Sequence, residues 1–160
     1  IHGDIKKGYI LISNKYPDHE KNTQYIEYID KATDFVFKHA NNGSLIFLIS
    51  DFIYPINSEK NFRMVAKKFD LIGVMVRDPI DMELPAGKGE VIVQDPVSKE
   101  VLLINPSKIR KEYKSMNTSD VNKMHNMMRK FGADLLFLNT GKSFVEPLIG
   151  FFKRRESEWS

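Results

Sequence analysis

The chain has 160 residues, 42% of them apolar, which is the size and composition of a single folded domain. It contains no cysteine, so a disulfide scaffold, cysteine-ligated zinc, an iron–sulfur cluster and thiol catalysis are all excluded. Lysine plus arginine exceed aspartate plus glutamate by 24 to 21, an excess too small to indicate nucleic acid as a partner. No apolar run approaches the roughly 20 residues that span a bilayer, so attachment to a membrane would need segments outside these residues. We therefore expect one cytoplasmic domain over residues 1–160.

The first half of the chain predicts alternating helices and strands. Residues 23–40 carry apolar side chains at helical spacing, whereas the short run 9–12 fits either a strand or a turn of helix. Residues 44–50 hold a continuous apolar run, which is typical of a strand in the middle of a helix-covered sheet. An amphipathic helix over 58–69 and a second apolar strand over 71–76 follow. Strand, helix and strand in that order predict a parallel pair with a right-handed crossover.

The second half predicts a hairpin, two helices, a third core strand and a final helix, which together give an α/β fold class. Gly132 ends the second of these helices, and Ser143 with Glu146 forms a capping box at the start of the last one. We expect the aromatic residues of the last helix to point inward. In chain order the predicted parts are hairpin strands 90–94 and 100–104, helices 106–113 and 119–131, strand 133–138, and inward residues Phe144, Leu148, Phe151 and Phe152.

Two carboxylates stand directly after predicted parallel strands. Asp51 follows the strand at 44–50, and Asp78 lies in the turn after the strand at 71–76. Ligands bind at the carboxyl ends of parallel strands, and carboxylate oxygens are the ligands that Mg²⁺ prefers. An aspartate at such a position equally caps the following turn through its side chain, and both interpretations stay open at this point.

Several stretches, taken in order, resemble the DUF58 family, whose core is a von Willebrand factor A-like domain. They are residues 44–52, residues 69–79, Glu83-Leu84-Pro85, the glycine turn and hairpin that follow, and residues 151–155. The resemblance extends from about residue 6 to residue 155. It implies a Rossmann-like, mostly parallel sheet flanked by helices, with an added β-hairpin.

The resemblance also implies the remains of a metal-ion-dependent adhesion site. In von Willebrand A domains that site combines an Asp-x-Ser-x-Ser loop after the first strand, a threonine from a second loop and an aspartate from a third. Asp51 matches the third-loop aspartate and Thr23 the second-loop threonine, whereas the Asp-x-Ser-x-Ser loop and its strand are missing from this sequence. Two ligands hold Mg²⁺ weakly or not at all. Without the first strand, the strand at 44–50 is expected to form an open edge, completed by further residues or by a second copy in a homodimer.

The family context implies a non-enzymatic interaction or assembly module that works beside a MoxR-type AAA+ ATPase. The alternative is a small Mg²⁺-dependent hydrolase or phosphoryl-transfer domain that uses Asp51 and Asp78. The sequence shows no nucleophile and base at catalytic spacing, which favours the interaction module.

Overall fold

The computed structural model describes residues 2–6, 9–13, 28–53, 59–87, 89–94 and 99–158. Within these ranges none of the helices combines the length and the apolar composition needed to cross a membrane. The described strands and helices are, in chain order, β1 (His2–Lys6), β2 (Tyr9–Ser13), α1 (Tyr28–His39), β3 (Leu45–Ser50), α2 (Glu59–Lys68), β4 (Asp70–Arg77), α3 (Pro79–Met82), β5 (Val91–Gln94), β6 (Val101–Ile104), α4 (Pro106–Phe131), β7 (Asp134–Asn139) and α5 (Val145–Glu158).

A small parallel sheet organises the fold. Its described strands lie in the order β3, β4, β7, and both neighbouring pairs are parallel. The sheet is flanked by helices, so the predicted α/β class is confirmed. The predicted β3–α2–β4 unit is confirmed as well, because β3 and β4 pair in parallel from Leu45 opposite Asp70 to Ser50 opposite Met75. All three carboxyl ends therefore meet at one edge of the sheet.

Helices cover both faces of the central strand β4. Side chains alternate between the faces of a strand, and Leu71, Ile72 and Met75 of β4 are at most 1% exposed. One face packs against α1, α2 and α4 through a cluster that includes Phe62, Val65, Met128 and Phe131. The other face packs against α5, where the smaller cluster is formed by Ile72, Val74, Leu136 and Phe151.

Gly73 allows α4 to lie close to the middle of β4. A Cβ atom at this position would stand 2.5 Å from Met128 Cε and 3.0 Å from Leu135 Cδ1, closer than side chains pack. The fully buried Met128 occupies that space instead. The glycine therefore leaves room for the ends of these two side chains against β4, and a larger residue would require them to shift.

The two helices predicted over 106–113 and 119–131 are a single helix, so that prediction is wrong. α4 runs without interruption from Pro106 to Phe131 and ends at Gly132, whose backbone is left-handed. Residues 114–118 contain serine, asparagine and threonine, which lower helix propensity, but no glycine or proline to break the hydrogen-bond ladder.

β3 lies at an edge of the described sheet, not in its middle, which corrects the expectation drawn from its apolar run. Leu45, Phe47 and Ile49 are 47%, 45% and 67% exposed, while Ile46 and Leu48 on the opposite face pack against the main core. Among the described strands, none pairs with the outer side of β3. An apolar run alone does not separate a strand in the middle of a sheet from a strand at its edge.

The remaining strands form two separate hairpins. The run at 9–12 is a strand, since β2 pairs antiparallel with β1, which the sequence analysis did not predict. The hairpin of β5 and β6 is confirmed, with Val91 opposite Ile104 and Gln94 opposite Val101. Its turn at 95–98 lies outside the described residues.

α5 covers β4 and β7 and leaves β3 largely exposed on that side, where Phe152 of α5 contacts Phe47 of β3. Phe151 is buried and Leu148 is half-buried, as expected. Phe144 and Phe152 are 60% and 39% exposed, so the expectation that all four point inward is wrong. Ser143 Oγ accepts a hydrogen bond from the Val145 N–H at the start of this helix.

An arginine fixes the far end of α5 to the sheet. Arg155 is almost buried, and its Nη2 donates to both Asp70 carboxylate oxygens at 2.6 and 2.7 Å. Its Nη1 forms an ion pair with Asp134 at 3.0 Å. The two aspartates begin β4 and β7, so a single guanidinium connects two neighbouring strands to the helix that covers them.

We predict that Arg155→Met lowers the free energy of unfolding by about 1–3 kcal/mol, because Asp70 loses the charged group that donates hydrogen bonds to both of its carboxylate oxygens. Urea denaturation measures the change. Lys38→Met, which removes the exposed ion pair with Asp34 on α1, is the matched control and should cost less than about 0.5 kcal/mol. Equal losses in the two variants would contradict the role given to Arg155.

Candidate functional site

The turn after β3 holds Asp51 in a local hydrogen-bond pattern. Asp51 Oδ1 accepts from the Ile53 N–H at 3.2 Å, and the Phe52 N–H donates to Ser50 Oγ at 3.1 Å. Phe52 is buried and has a φ of 49°, in the left-handed region that a bulky residue rarely adopts. The structure thus places Asp51 at the carboxyl edge of the sheet, as predicted, with one oxygen engaged in its own turn.

Arg77, the last residue of β4, keeps that turn in place. Its side chain is only 7% exposed, and Nη2 donates to the Phe52 carbonyl oxygen at 3.1 Å. Its Nε has no hydrogen-bond partner among the described residues. Arg77 was not predicted as a site residue, although a charged residue at the end of an otherwise apolar strand was the available signal.

Asp78 connects the turns that follow β4 and β7. Its Oδ1 accepts from the Ile80 N–H at 3.1 Å, and its Oδ2 accepts from the Thr140 hydroxyl at 2.8 Å. The same side chain caps α3 in a reciprocal pair with Asp81. The hydrogen bond from the Ile80 N–H is the main cause that lowers the pKa of Asp78 below its usual value, and the hydrogen bond from the Thr140 hydroxyl lowers it further. The sequence left two roles open for Asp78, a metal ligand or a cap of the following turn. The hydrogen bonds show the capping role.

Exposed isoleucines lie beside both carboxylates. Ile53 is 52% exposed and Ile80 is 54% exposed, and each donates its own N–H to the neighbouring aspartate. We call Asp51, Ile53, Asp78, Ile80 and Thr140 the carboxyl-edge face. It presents apolar side chains and negative charge together on turns fixed by the sheet.

The described residues at this face do not bring together a full set of metal ligands. In the described part of the chain, no group of three or more histidine, aspartate or glutamate side chains is placed to hold an ion. Asp51 is the one predicted ligand that the structure describes, whereas Thr23 lies outside the described residues. One carboxylate with one oxygen already hydrogen-bonded supplies too few of the six or so oxygens that Mg²⁺ requires.

A basic groove was not recognised from the sequence. A groove of about 760 Å³ lies between the loop after α3 and the first turns of α4. On its wall, Glu83 pairs with Arg110 and Lys114, each at 2.7 Å. The hydrogen bond from Lys114 is the main cause that lowers the pKa of Glu83. The sequence alone does not show that Glu83 folds back onto these basic residues at the start of α4.

The hairpin of β5 and β6 exposes apolar side chains on both faces. Cross-strand register places Val91, Val93 and Leu102 on one face, and Ile92, Leu103 and Val101 on the other. All six are between 38% and 72% exposed. The sequence analysis predicted the hairpin but not this exposure, because alternation predicts which residues share a face and not what covers that face.

We predict that Thr140→Val raises the pKa of Asp78 towards its usual value. A lowered pKa means that the ionised carboxylate stabilises the fold at neutral pH, and that this stabilisation is lost as the pH falls through the folded-state pKa. Carbon-detected NMR titration of the aspartate carboxyl groups measures the shift. Ser143→Ala, which removes a hydroxyl that bonds Val145 in the same loop, should leave Asp78 unchanged. An unchanged Asp78 titration in Thr140→Val would contradict the assignment.

We predict that Mg²⁺ and Mn²⁺ bind this chain with a dissociation constant above about 1 mM, because the ligand set around Asp51 is incomplete. Isothermal titration calorimetry gives the constant. Asp51→Asn is the matched variant and should give the same trace as the unsubstituted chain. Micromolar binding that is lost in Asp51→Asn would show that the site is complete after all.

Comparison with known proteins places the chain in a family. The family model described as "Protein of unknown function DUF58" matches residues 11–123. An uncharacterised protein of Mycobacterium avium is 26% identical over 127 residues, which cover 78% of this chain and 73% of that protein. Uncharacterised proteins of Mycobacterium bovis and Mycobacterium tuberculosis are each 29% identical over 126 residues, covering 78% of this chain and 39% of their own length.

This chain therefore spans well under half the length of the latter two relatives. No solved structure matches it at a significant level. The family match includes β3 and β4, the two turns with Asp51 and Asp78 that follow them, and most of α4. The chain belongs to the DUF58 family.

Proposed function

We propose that this chain is a non-enzymatic protein-interaction module that works beside a MoxR-type AAA+ ATPase and contacts its partner through the carboxyl-edge face. The partner comes from the family context alone. What supports an interaction role is the chemistry of the face itself: exposed Ile53 and Ile80 lie against Asp51 and Asp78 on hydrogen-bonded turns. Apolar side chains rimmed by polar ones are the usual composition of a protein–protein contact.

The hydrogen bonds that hold the turns of this face support the proposal further. The buried Arg77 fixes the Asp51 turn, and Asp78 joins the turns after β4 and β7 through Thr140. A surface whose loops are already ordered loses less conformational entropy when it binds a partner. The hydrogen bonds of the carboxylates therefore serve to shape the surface.

The alternative, a Mg²⁺-dependent hydrolase or phosphoryl-transfer domain that uses Asp51 and Asp78, has less support. Both oxygens of Asp78 accept hydrogen bonds within the turns. Neither aspartate lines the groove between the loop after α3 and α4. An enzyme of this class would need carboxylates that converge on a pocket beside a nucleophile or base.

We further propose that the fold is von Willebrand A-like and that its adhesion-type metal site is incomplete in these residues. The parallel order β3, β4, β7 and the position of Asp51 directly after β3 are compatible with that core. The match covers 39% of the length of the Mycobacterium bovis and Mycobacterium tuberculosis relatives, and the rest of their length has room for an Asp-x-Ser-x-Ser loop. Asp51 and Thr23 would then be the two ligands that this chain contributes.

The test is direct binding to the MoxR-type AAA+ ATPase of the same genome. We predict that the unsubstituted chain binds and that the double variant Ile53→Ser with Ile80→Ser weakens binding about tenfold or more, because it removes the apolar part of the face. Biolayer interferometry with the immobilised ATPase measures the affinity.

Met116→Ser is the matched control, since Met116 is 61% exposed on α4 and is not part of the carboxyl-edge face. It should bind as the unsubstituted chain does. Equal binding by the double variant would overturn the proposed face. Failure of the unsubstituted chain to bind the ATPase would overturn the proposed partner.

A further inference from the structure

The basic groove between the loop after α3 and the first turns of α4 is a feature that the proposed function does not use. Its volume is about 760 Å³, within the range of about 300–1,000 Å³ that ligand sites occupy. The loop wall is formed by Glu83, Ala86 and Gly87, and the helix wall by Ser107, Arg110, Lys111 and Lys114. Both walls of the groove therefore belong to the described part of the chain.

The helix wall is one continuous face of α4. Arg110, Lys111 and Lys114 follow Ser107 by three, four and seven positions, the spacing at which side chains share one side of a helix. This face extends over about 10 Å, since each residue of a helix adds about 1.5 Å. An extended peptide of about three residues covers the same distance, at about 3.3 Å per residue. The groove therefore has the length of a short extended segment.

Cations exceed anions on the walls of the groove. Arg110, Lys111 and Lys114 carry three positive charges and Glu83 one negative charge, which leaves a net charge of +2 among the lining residues. Lys111 forms no ion pair with a described residue. Arg110 Nε is buried and has no hydrogen-bond partner in the described structure. The groove thus attracts an anion and offers it N–H donors that the described chain leaves unused.

The groove already holds one carboxylate. Glu83 Oε1 contacts Arg110 Nη2, and Glu83 Oε2 contacts Lys114 Nζ, each at 2.7 Å. These contacts use one nitrogen of each cation, whereas a guanidinium has five N–H donors and an ammonium three. A second carboxylate can therefore bind beside Glu83, on Lys111 and on the remaining donors of Arg110 and Lys114.

We infer that the basic groove binds a short, extended, acidic peptide segment of a partner protein. Carboxylates of the segment pair with the three cations of α4, and its backbone lies between the helix and the loop wall. The cations are distributed along a full turn of the helix, which suits carboxylates spaced along a chain. Phosphate sites instead gather backbone N–H groups around a single centre.

The groove shares no residue with the carboxyl-edge face, so this inference does not depend on the proposed function. The double variant Ile53→Ser with Ile80→Ser, which tests that face, should leave peptide binding in the groove unchanged.

Fluorescence polarisation with the full chain tests the inference. The probe is a fluorescein-labelled peptide in which glutamate alternates with serine, and the control peptide has glutamine in place of glutamate. We expect the glutamate peptide to bind with a dissociation constant below about 1 mM at roughly 50 mM salt. Affinity should fall at least about threefold at roughly 150 mM salt, because exposed ion pairs are screened. The glutamine peptide should not bind measurably.

The first pair of variants locates the site. Lys111→Gln should weaken binding of the glutamate peptide at least about threefold, because it removes a cation that has no partner in the described structure. Lys123→Gln is the matched control, since Lys123 is exposed on the same helix about 18 Å further along, beyond the screening length at roughly 150 mM salt. It should bind as the unsubstituted chain does.

The second pair separates binding from a structural role. Glu83→Gln should strengthen binding at least about twofold, because it removes the carboxylate that competes for Arg110 and Lys114. Loss of a purely structural ion pair would not raise affinity. Glu146→Gln at the start of α5 changes the net charge equally and should have no effect. Circular dichroism and urea denaturation confirm that the variants remain folded.

Other results would overturn the inference. Equal binding of the glutamate and glutamine peptides, or binding of neither, would show that the groove does not recognise carboxylates. Unchanged binding in Lys111→Gln would place the peptide elsewhere on the chain. If inorganic phosphate binds more tightly than the glutamate peptide and loses affinity in Lys111→Gln, the groove is a phosphate site.

Discussion

The burial of β4 between two helical layers is the constraint on which the rest of the described structure depends. Ile72 packs towards α5 while Leu71 and Met75 pack towards the main core, and all three are at most 1% exposed. Gly73 lets Met128 of α4 approach this strand, and Arg155 connects α5 to its first residue. Because β4 is fixed in this way, the turns at its carboxyl end are fixed too.

The same constraint explains why exposed apolar side chains lie on the edge strand β3 and in the hairpin of β5 and β6, away from β4. Two helical layers bury β4, but Leu45, Phe47 and Ile49 of β3 stay largely exposed, although Phe152 of α5 contacts Phe47. The strands β5 and β6 pair with each other and not with the described parallel sheet. Exposed apolar patches of this kind mark places of contact.

The central elements could be predicted from the sequence because their signals are local. The apolar runs of β3 and β4, the amphipathic α2 and the glycine that ends α4 depend on residues close together in the chain. The position of β3 at an edge depends on which strands lie beside it, and no local pattern contains that information. For the same reason Asp51 and Asp78 could be placed at the carboxyl edge, whereas the Arg77–Phe52 and Asp78–Thr140 contacts join residues 25 and 62 positions apart.

Hydrogen–deuterium exchange on the unsubstituted chain tests the central claim, that this domain acts through exposed surfaces and not through a catalytic pocket. Addition of the AAA+ ATPase should slow exchange at the amides of residues 51–53 and 78–81. Protection confined to the groove between the loop after α3 and α4, with the carboxyl edge unchanged, would contradict the account.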